Sequence, residues 1–354
     1  MSRKSQIALA ASVASAVAAG GAAAAKRRVR SQRARVGVER VASLTASDPA
    51  DRSYVVTTED GVALHVEEVG PAAAPLTVVF VHGWVCTSQA WVLQRRSLAS
   101  PDVRLVFYDQ RGHGRSGRPR PEKTDLEVLG RDLGRVLQAA APAGPAMLVG
   151  HSMGGMVVMA LVDQRPELFD GTGPVVAVAL LSTSSGRLAS VSLGLPAGLA
   201  HVTRRLLPRS YSVLARYGDR IESRRPRGDF TWMLSKYLAF GGSVDPALVE
   251  LMEEMIAQAP LATSAGFGAA LLGHDKLAAL PRLAAIPTSI VVGGADVLTP
   301  VDHSRAIAQA LPSADFAVVE GAGHMIMLEA PERTDEQLRA LMRRASAAGD
   351  RIVR

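Results

Sequence analysis

Cysteine is nearly missing from the 354-residue chain: Cys86 stands alone, which excludes an internal disulfide framework and any thiolate metal cluster. It follows Trp84 and Val85, an apolar setting in which a free cysteine is expected to be core. Internal repeats are absent as well. A basic globular surface is also lacking, although the net charge is +7. Residues 1–40 hold nine Lys and Arg against Glu39 alone, a local +8 that leaves −1 for everything after them. No nucleic-acid motif accompanies that charge, so no nucleic-acid partner is expected.

Charge is missing again from residues 7–25, a stretch flanked by Arg3 and Lys4 before it and by six basic residues between Lys26 and Arg35 after it. Nineteen uncharged residues would suit a bilayer crossing. Eleven of them are alanine, however. Only Ile7, Leu9, Val13 and Val17 add the roughly 0.3–0.6 kcal/mol apiece that favours insertion. Three readings stay open, in this order: a membrane anchor, a disordered or loosely helical extension, and a cleaved signal peptide. The heavier positive flank lies C-terminal to the segment, so an anchor would leave the following domain on the cytoplasmic side. The expected location is therefore membrane-associated and cytoplasm-facing, or cytoplasmic; the basic residues after the segment argue against secretion.

What the chain does contain is 48% hydrophobic and 21% charged residues, the balance of a globular protein long enough for one large domain with appendages. Residues 1–52 read as the hydrophobic and basic extension with a linker. Two alternating runs, Tyr54 to Thr58 and Val62 to Val69, are separated by Glu59-Asp60-Gly61, a hairpin signal. From Leu76 the pattern changes to continuous apolar strands at 76–81, 103–108, 146–150, 175–182, 288–292 and 315–319. Helical stretches alternate with them at 87–99, 123–140, 153–165, 301–310 and 331–347. Strands buried on both faces and joined by helices form a parallel sheet. The alternation breaks over 187–275, with helices expected at Phe230 to Phe240 and Pro246 to Gln258. This region reads as a helical cap inserted into a core made of 53–186 and 276–354, lying over the sheet edge where ligands of open α/β folds bind.

One strand-to-helix turn carries chemistry. In Gly150-His151-Ser152-Met153-Gly154, Gly150 and Gly154 leave room for strand and helix to approach, and the helix points free N–H groups toward any anion formed at Ser152. A serine hydroxyl needs a base, and the base an orienting acid. Asp296 follows the strand ending at Val292, and His324 follows the strand ending at Val319. The loop Ser182 to Ser185 offers no carboxylate, so Asp296 has no rival there. An aspartate after Gly-Gly is commonly a turn former and a lone histidine commonly a core residue. Three such residues on successive strand ends favour a joint role. The oxyanion donors expected are the backbone N–H groups of Met153 and of Trp84, the latter aimed inward by a bend at Gly83. Trp84 is expected to pack in the core as well. Neither a cofactor nor a metal is expected.

These residues resemble the α/β-hydrolase fold superfamily over roughly 53–347, with wording similar to actinobacterial hydrolases of esterase type. The likeness rests on His82-Gly83, on Asp109-Gln110-Arg111-Gly112-His113-Gly114-Arg115-Ser116, on the elbow at Ser152, on Gly293 to Pro300, and on Gly323-His324 with Glu329-x-Pro331. It implies Ser152 as nucleophile, Asp296 as acid, His324 as base and a mostly parallel sheet under a cap. Serine at 152 speaks against the epoxide hydrolases and haloalkane dehalogenases of this fold. His82-Gly83-Trp84-Val85 lacks the Gly-Gly-Pro-Gly form of proline iminopeptidases. The expected activity is carboxylesterase or lipase-like cleavage of a hydrophobic ester. Cofactor-free haloperoxidase or perhydrolase chemistry, C–C bond hydrolysis, a membrane-surface lipid enzyme suggested by the basic head and the Arg-rich cap, and a non-catalytic ligand sensor on the same fold remain alternatives. Trp232, Met233, Leu234 and Tyr237 in the cap are expected either to meet an acyl group or to form helix core. The oligomeric state stays open.

Overall fold

The computed structural model describes residues 49–142, 144–224 and 228–352. The segment 7–25 lies outside the described residues. Among these residues, no single helix is long and apolar enough to cross a membrane.

The eight strands are β1 (Arg52–Thr57), β2 (Ala63–Val69), β3 (Leu76–Val81), β4 (Val103–Tyr108), β5 (Ala146–His151), β6 (Val175–Leu181), β7 (Thr288–Gly293) and β8 (Asp315–Val319). They form one sheet in the order β1-β2-β4-β3-β5-β6-β7-β8. β1 and β2 pair antiparallel, as do β2 and β4; the remaining pairs are parallel. The order runs leftward from β3 to β4 and then returns across β3 to β5. The connections leaving β3 and β5 therefore run in opposite directions, so the topological switch point lies between these two strands at the C-terminal edge, where open α/β sheets place their ligands.

The helices are α1 (Val92–Ser97), α2 (Leu126–Ala140), α3 (Met153–Gln164), α4 (Ala197–Ile221), α5 (Asp229–Ala239), α6 (Pro246–Gln258), α7 (Leu261–Leu272), α8 (Val301–Ala310), the single turn α9 (Ile326–Glu329) and α10 (Pro331–Ile352). Alternation along each strand divides the core in two. Leu76, Val78 and Phe80 of β3 join one cluster with Val92 of α1 and Leu338, Leu341 and Ala345 of α10. Val79 and Val81 join the other, with Leu129, Leu133 and Val136 of α2 and Met156, Val157 and Leu161 of α3. α3 is buried along its whole length from Met153 to Val162, which explains why it reads as apolar on every side. Cys86 is buried, as its neighbours imply, and burial pushes its thiol up to about 12.

Between β6 and β7 the chain builds α4 to α7. Two of these helices, α4 and α7, are not expected from the sequence. They pack on each other through small residues: a Cβ on Gly218 would lie 2.6 Å from the amide nitrogen of Ala262. Such an interface leaves no large-residue periodicity to read. α6 and α7 together have the length and composition of a bent span, with 100° between them. α6, however, spends its apolar residues on the core, burying Val249, Leu251 and Met255 completely.

Candidate active site

β5 runs through the middle of the sheet, with Val81 of β3 opposite Gly150 and Leu181 of β6 opposite His151. The chain then reverses into α3 within one residue. Ser152 takes φ 52° and ψ −119°, a left-handed conformation that costs a side-chain-bearing residue on the order of 1–3 kcal/mol. Neighbouring hydrogen bonds hold it there: Ser152 N donates to the Leu181 carbonyl at 3.0 Å, and Thr183 Oγ1 donates to the Ser152 carbonyl at 2.7 Å. Glycine at 154 is a steric requirement, because a Cβ there would lie 2.0 Å from the Val81 carbonyl oxygen. Gly150 is confined in the same way by Gly154 and Gly155.

Asp296 and His324 sit in the loops after β7 and β8, both buried. His324 Nδ1 donates to Asp296 Oδ2 at 2.8 Å. The carboxylate also accepts from the Leu298 and Thr299 amides, each at 2.9 Å, and from Thr299 Oγ1 at 2.8 Å. Burial alone would raise the Asp296 carboxyl, but the facing His324, with the bonds from His324 and Thr299, outweighs burial and holds it below the ordinary range. With Nδ1 so engaged, Nε2 of His324 is the nitrogen left to exchange a proton. Among the described residues Ser152 Oγ has no hydrogen-bond partner. The structure therefore pairs the acid with the histidine and leaves the histidine and the serine unbonded at rest, a looseness common before substrate binds.

His151 is a further member that sequence reasoning passes over. Its Nε2–H donates to the His324 carbonyl at 3.0 Å, and the two rings lie 4.9 Å apart. Burial, and then the neighbouring His324, lower it to about 3, so it stays neutral and fixes the backbone of His324.

The loop after β3 lies against the serine. A Cβ on Gly83 would fall 3.2 Å from Ser152 Cβ and 2.9 Å from His151 Nδ1, so only glycine lets the loop come so near. Val85 is turned to φ 52°. Its N–H donates to His113 Nε2 at 3.2 Å, while His113 Nδ1–H donates to the Arg111 carbonyl at 3.1 Å. His82 repeats the device, accepting from Gln110 N at Nε2 (2.9 Å) and donating from Nδ1 to the Gly83 carbonyl (2.8 Å). Each ring thus has one donor and one acceptor nitrogen and must be neutral. Burial, followed by the nearby His82, lowers His113 to about 3, and burial also lowers His82. The two histidines clamp the loop to the segment 109–113. Among the described residues neither the Trp84 nor the Met153 backbone N–H finds a protein acceptor, and both belong to segments that meet at Ser152. The Trp84 ring is half-buried: its Nε1 donates to the Ser264 carbonyl of α7 at 2.9 Å, and its face meets Tyr211 of α4 edge-on at 5.9 Å.

Thr183, His113 and His151 act by contact with residues far along the chain, and of these only the histidines lie inside a recognised motif; Thr299 bonds Asp296 three residues away, inside the Gly293 to Pro300 motif. Among the described residues no three His, Cys, Asp or Glu side chains converge as a metal-binding set. In the cap, Trp232 is buried, but Met233, Leu234 and Tyr237 are exposed. The helix-core expectation therefore holds for Trp232 and fails for the other three. The reason is registry: α5 packs through Trp232, Ser235 and Ala239, and the other three lie on its opposite side.

Residues 78–337 match the model of the alpha/beta hydrolase family. Over 127 residues the chain is 35% identical to a bifunctional esterase/perhydrolase of Acinetobacter calcoaceticus, a match covering 36% of this chain and 43% of that protein. It is 26% identical over 280 residues to a non-heme chloroperoxidase of Kitasatospora aureofaciens, covering 77% and 93% of the two chains. Among solved structures, a thermophilic esterase from Thermogutta terrifontis superposes with a TM-score of 0.67 at 24% identity, covering 83% of this chain and 99% of that one.

Proposed function

Because the chain belongs to the alpha/beta hydrolase family, we infer that it is a serine hydrolase cleaving a hydrophobic carboxylic ester through an acyl-enzyme. The observation that carries this reading is the left-handed Ser152 at the strand-to-helix turn, beside a His324–Asp296 pair 2.8 Å apart on neighbouring strand ends.

In this reading Ser152 Oγ attacks the ester carbonyl carbon while His324 Nε2 takes the hydroxyl proton. Asp296 keeps the proton on Nδ1 and stabilises the imidazolium. The carbonyl oxygen, now an oxyanion, accepts from the Trp84 and Met153 amides, each worth about 2.7–4 kcal/mol of transition-state stabilisation. Collapse expels the alcohol, which receives the proton from Nε2. Water then attacks the acyl-enzyme by the same relay in reverse and releases the carboxylic acid. The elbow favours this chemistry energetically: its strain is held by packing that exists before substrate arrives.

A second reading uses the same acyl-enzyme with hydrogen peroxide in place of water, releasing a peracid. The similarity to the Acinetobacter esterase/perhydrolase favours it. Labelling by a fluorophosphonate probe, present in the wild type and lost in Ser152→Ala, tests the nucleophile; a folded wild type that takes no label defeats both readings. Titration of peracid from an ester and peroxide then separates them.

A further inference from the structure

The exposed large apolar residues of the described chain are unevenly placed. Of thirteen, ten belong to α4 and α5. On α5 they are Phe230, Met233, Leu234 and Tyr237, at spacings of three, one and three residues, which is one face of a helix. Phe230 is 76% exposed. On α4 they are Leu199, Val202, Leu206, Val213, Tyr217 and Ile221, a second seam at three-, four- and seven-residue steps. The opposite side of α4, through Ala200, Tyr211 and Gly218, faces α7 and the Trp84 loop, so the seam is turned away from the body.

Charge borders this seam on one flank. Arg205, Arg209, Arg216 and Arg220 line it at steps of four, seven and four residues, all exposed and without a carboxylate partner among the described residues. The guanidinium groups of Arg216 and Arg220 each lie 5.5 Å from the Tyr217 ring centre, which places cations at the rim of the apolar strip. Asp219 is the one acidic residue of α4, and it meets Arg118 at 3.8 Å. An apolar stripe flanked by arginines fits an interface whose interior is apolar and whose rim is anionic.

We propose that the outer face of α4 and α5 docks on an anionic phospholipid surface. Two other occupants are disfavoured by sign. A second copy meeting the first antiparallel through this face would oppose arginine to arginine across the two-fold axis. The head of this chain, residues 1–40, carries a local charge of +8, the same sign as the stripe. Head and stripe are instead drawn to the same anionic surface. The segment Leu193-Gly194 links this face to the site: Tyr237 OH donates to the Leu193 carbonyl at 3.0 Å, and a Cβ on Gly194 would lie 3.4 Å from Val297, the residue after Asp296. The docking face thus meets the loop that carries Asp296 through Leu193-Gly194. Resting on the serine-hydrolase reading, this makes the substrate an ester dissolved in the membrane.

The test places one thiol-reactive, environment-sensitive fluorophore at Phe230→Cys, at Leu206→Cys and, as a control on the outer strand β1, at Val55→Cys. Cys86 is buried, so the introduced thiol takes the label. The full chain is mixed with vesicles of phosphatidylcholine, with or without phosphatidylglycerol. Emission should shift to the blue at 230 and 206 on the anionic vesicles, stay unchanged at 55, and stay unchanged on phosphatidylcholine alone. Arg205→Ala and Arg209→Ala should each weaken partitioning about fivefold. Circular dichroism and fluorophosphonate labelling of Ser152 in every variant establish that the fold and the nucleophile persist, so a failed docking is distinguished from a failed hydrolase reading. The proposal is overturned if the chain sediments with vesicles while 230 and 206 stay silent, which assigns binding to the head. It is equally overturned if the shift is the same on neutral lipid, or if it grows with protein concentration in the absence of vesicles, which assigns the face to a second copy.

Discussion

Every residue of β3, β5, β6 and β7 is buried, whereas α4, with 25 residues, buries only Ala200 and Gly218. The first region spends its apolar residues on fixing four strand ends, and those ends carry the Gly83 loop, Ser152, Thr183 and Asp296. The second keeps its large apolar residues outside and packs through small ones. Tight packing is therefore found where atoms must be placed to a fraction of an ångström. Loose packing is found where the requirement is a surface rather than a position.

Substitutions should separate the two regions by size of effect. Asp296→Asn keeps the shape but lets the wrong tautomer of His324 form; kcat against a p-nitrophenyl ester should fall about 10⁴-fold with KM little changed. A fall of tenfold or less would remove Asp296 from the relay. Gly154→Ala drives a methyl into the Val81 carbonyl and should cost about 3 kcal/mol or more, read as a lower urea midpoint; an unchanged midpoint contradicts the close approach.

The buried histidines give an effect of intermediate size. His113 and His151 are held near 3, below the ordinary 6.5, so between those values the unfolded chain takes up protons that the folded chain refuses. Stability must therefore fall as pH is lowered from 6.5 toward 3, by roughly 1 kcal/mol per pH unit for each histidine. Urea titrations across that window should show the slope, and His113→Asn should flatten it by one histidine's share. A variant with the wild-type slope would mean that His113 titrates normally. The cap should respond least. Leu206→Ser and Val213→Ser remove exposed groups and should move the unfolding free energy by no more than about 0.5 kcal/mol. A larger loss would show that the α4 seam is covered by protein.

The same contrast explains what could be read in advance. β3, β5, β6 and β7 are continuous apolar runs because both faces are covered, and the runs of β5 and β7 end just before Ser152 and Asp296, while His324 follows the half-exposed edge strand β8. The pairing of Asp296 with His324 follows from adjacency of strands that the alternating pattern already implies. α4 and α7 escape the reading. Their shared face runs through Gly218 against Ala262 and Gly268 against Tyr211, while α4's large exposed apolar residues point the wrong way for a core helix and Pro208 interrupts the run. Thr183 and the clamp formed by His82 and His113 escape it for another reason: each acts across a gap in sequence that only the folded chain closes.

Trp84 joins the two regions at one point. Its amide belongs to the loop that lies against Ser152, its indole N–H is bound to Ser264 of α7, and Gly268 and Tyr211 close on its ring. The cap is thereby moored to the loop that lies against the serine. A tilt of α7 is transmitted to that amide through a single rigid side chain. In the proposed mechanism, where this amide receives the oxyanion, a mechanical disturbance of the cap at this mooring would surface as slower turnover and not as weaker affinity.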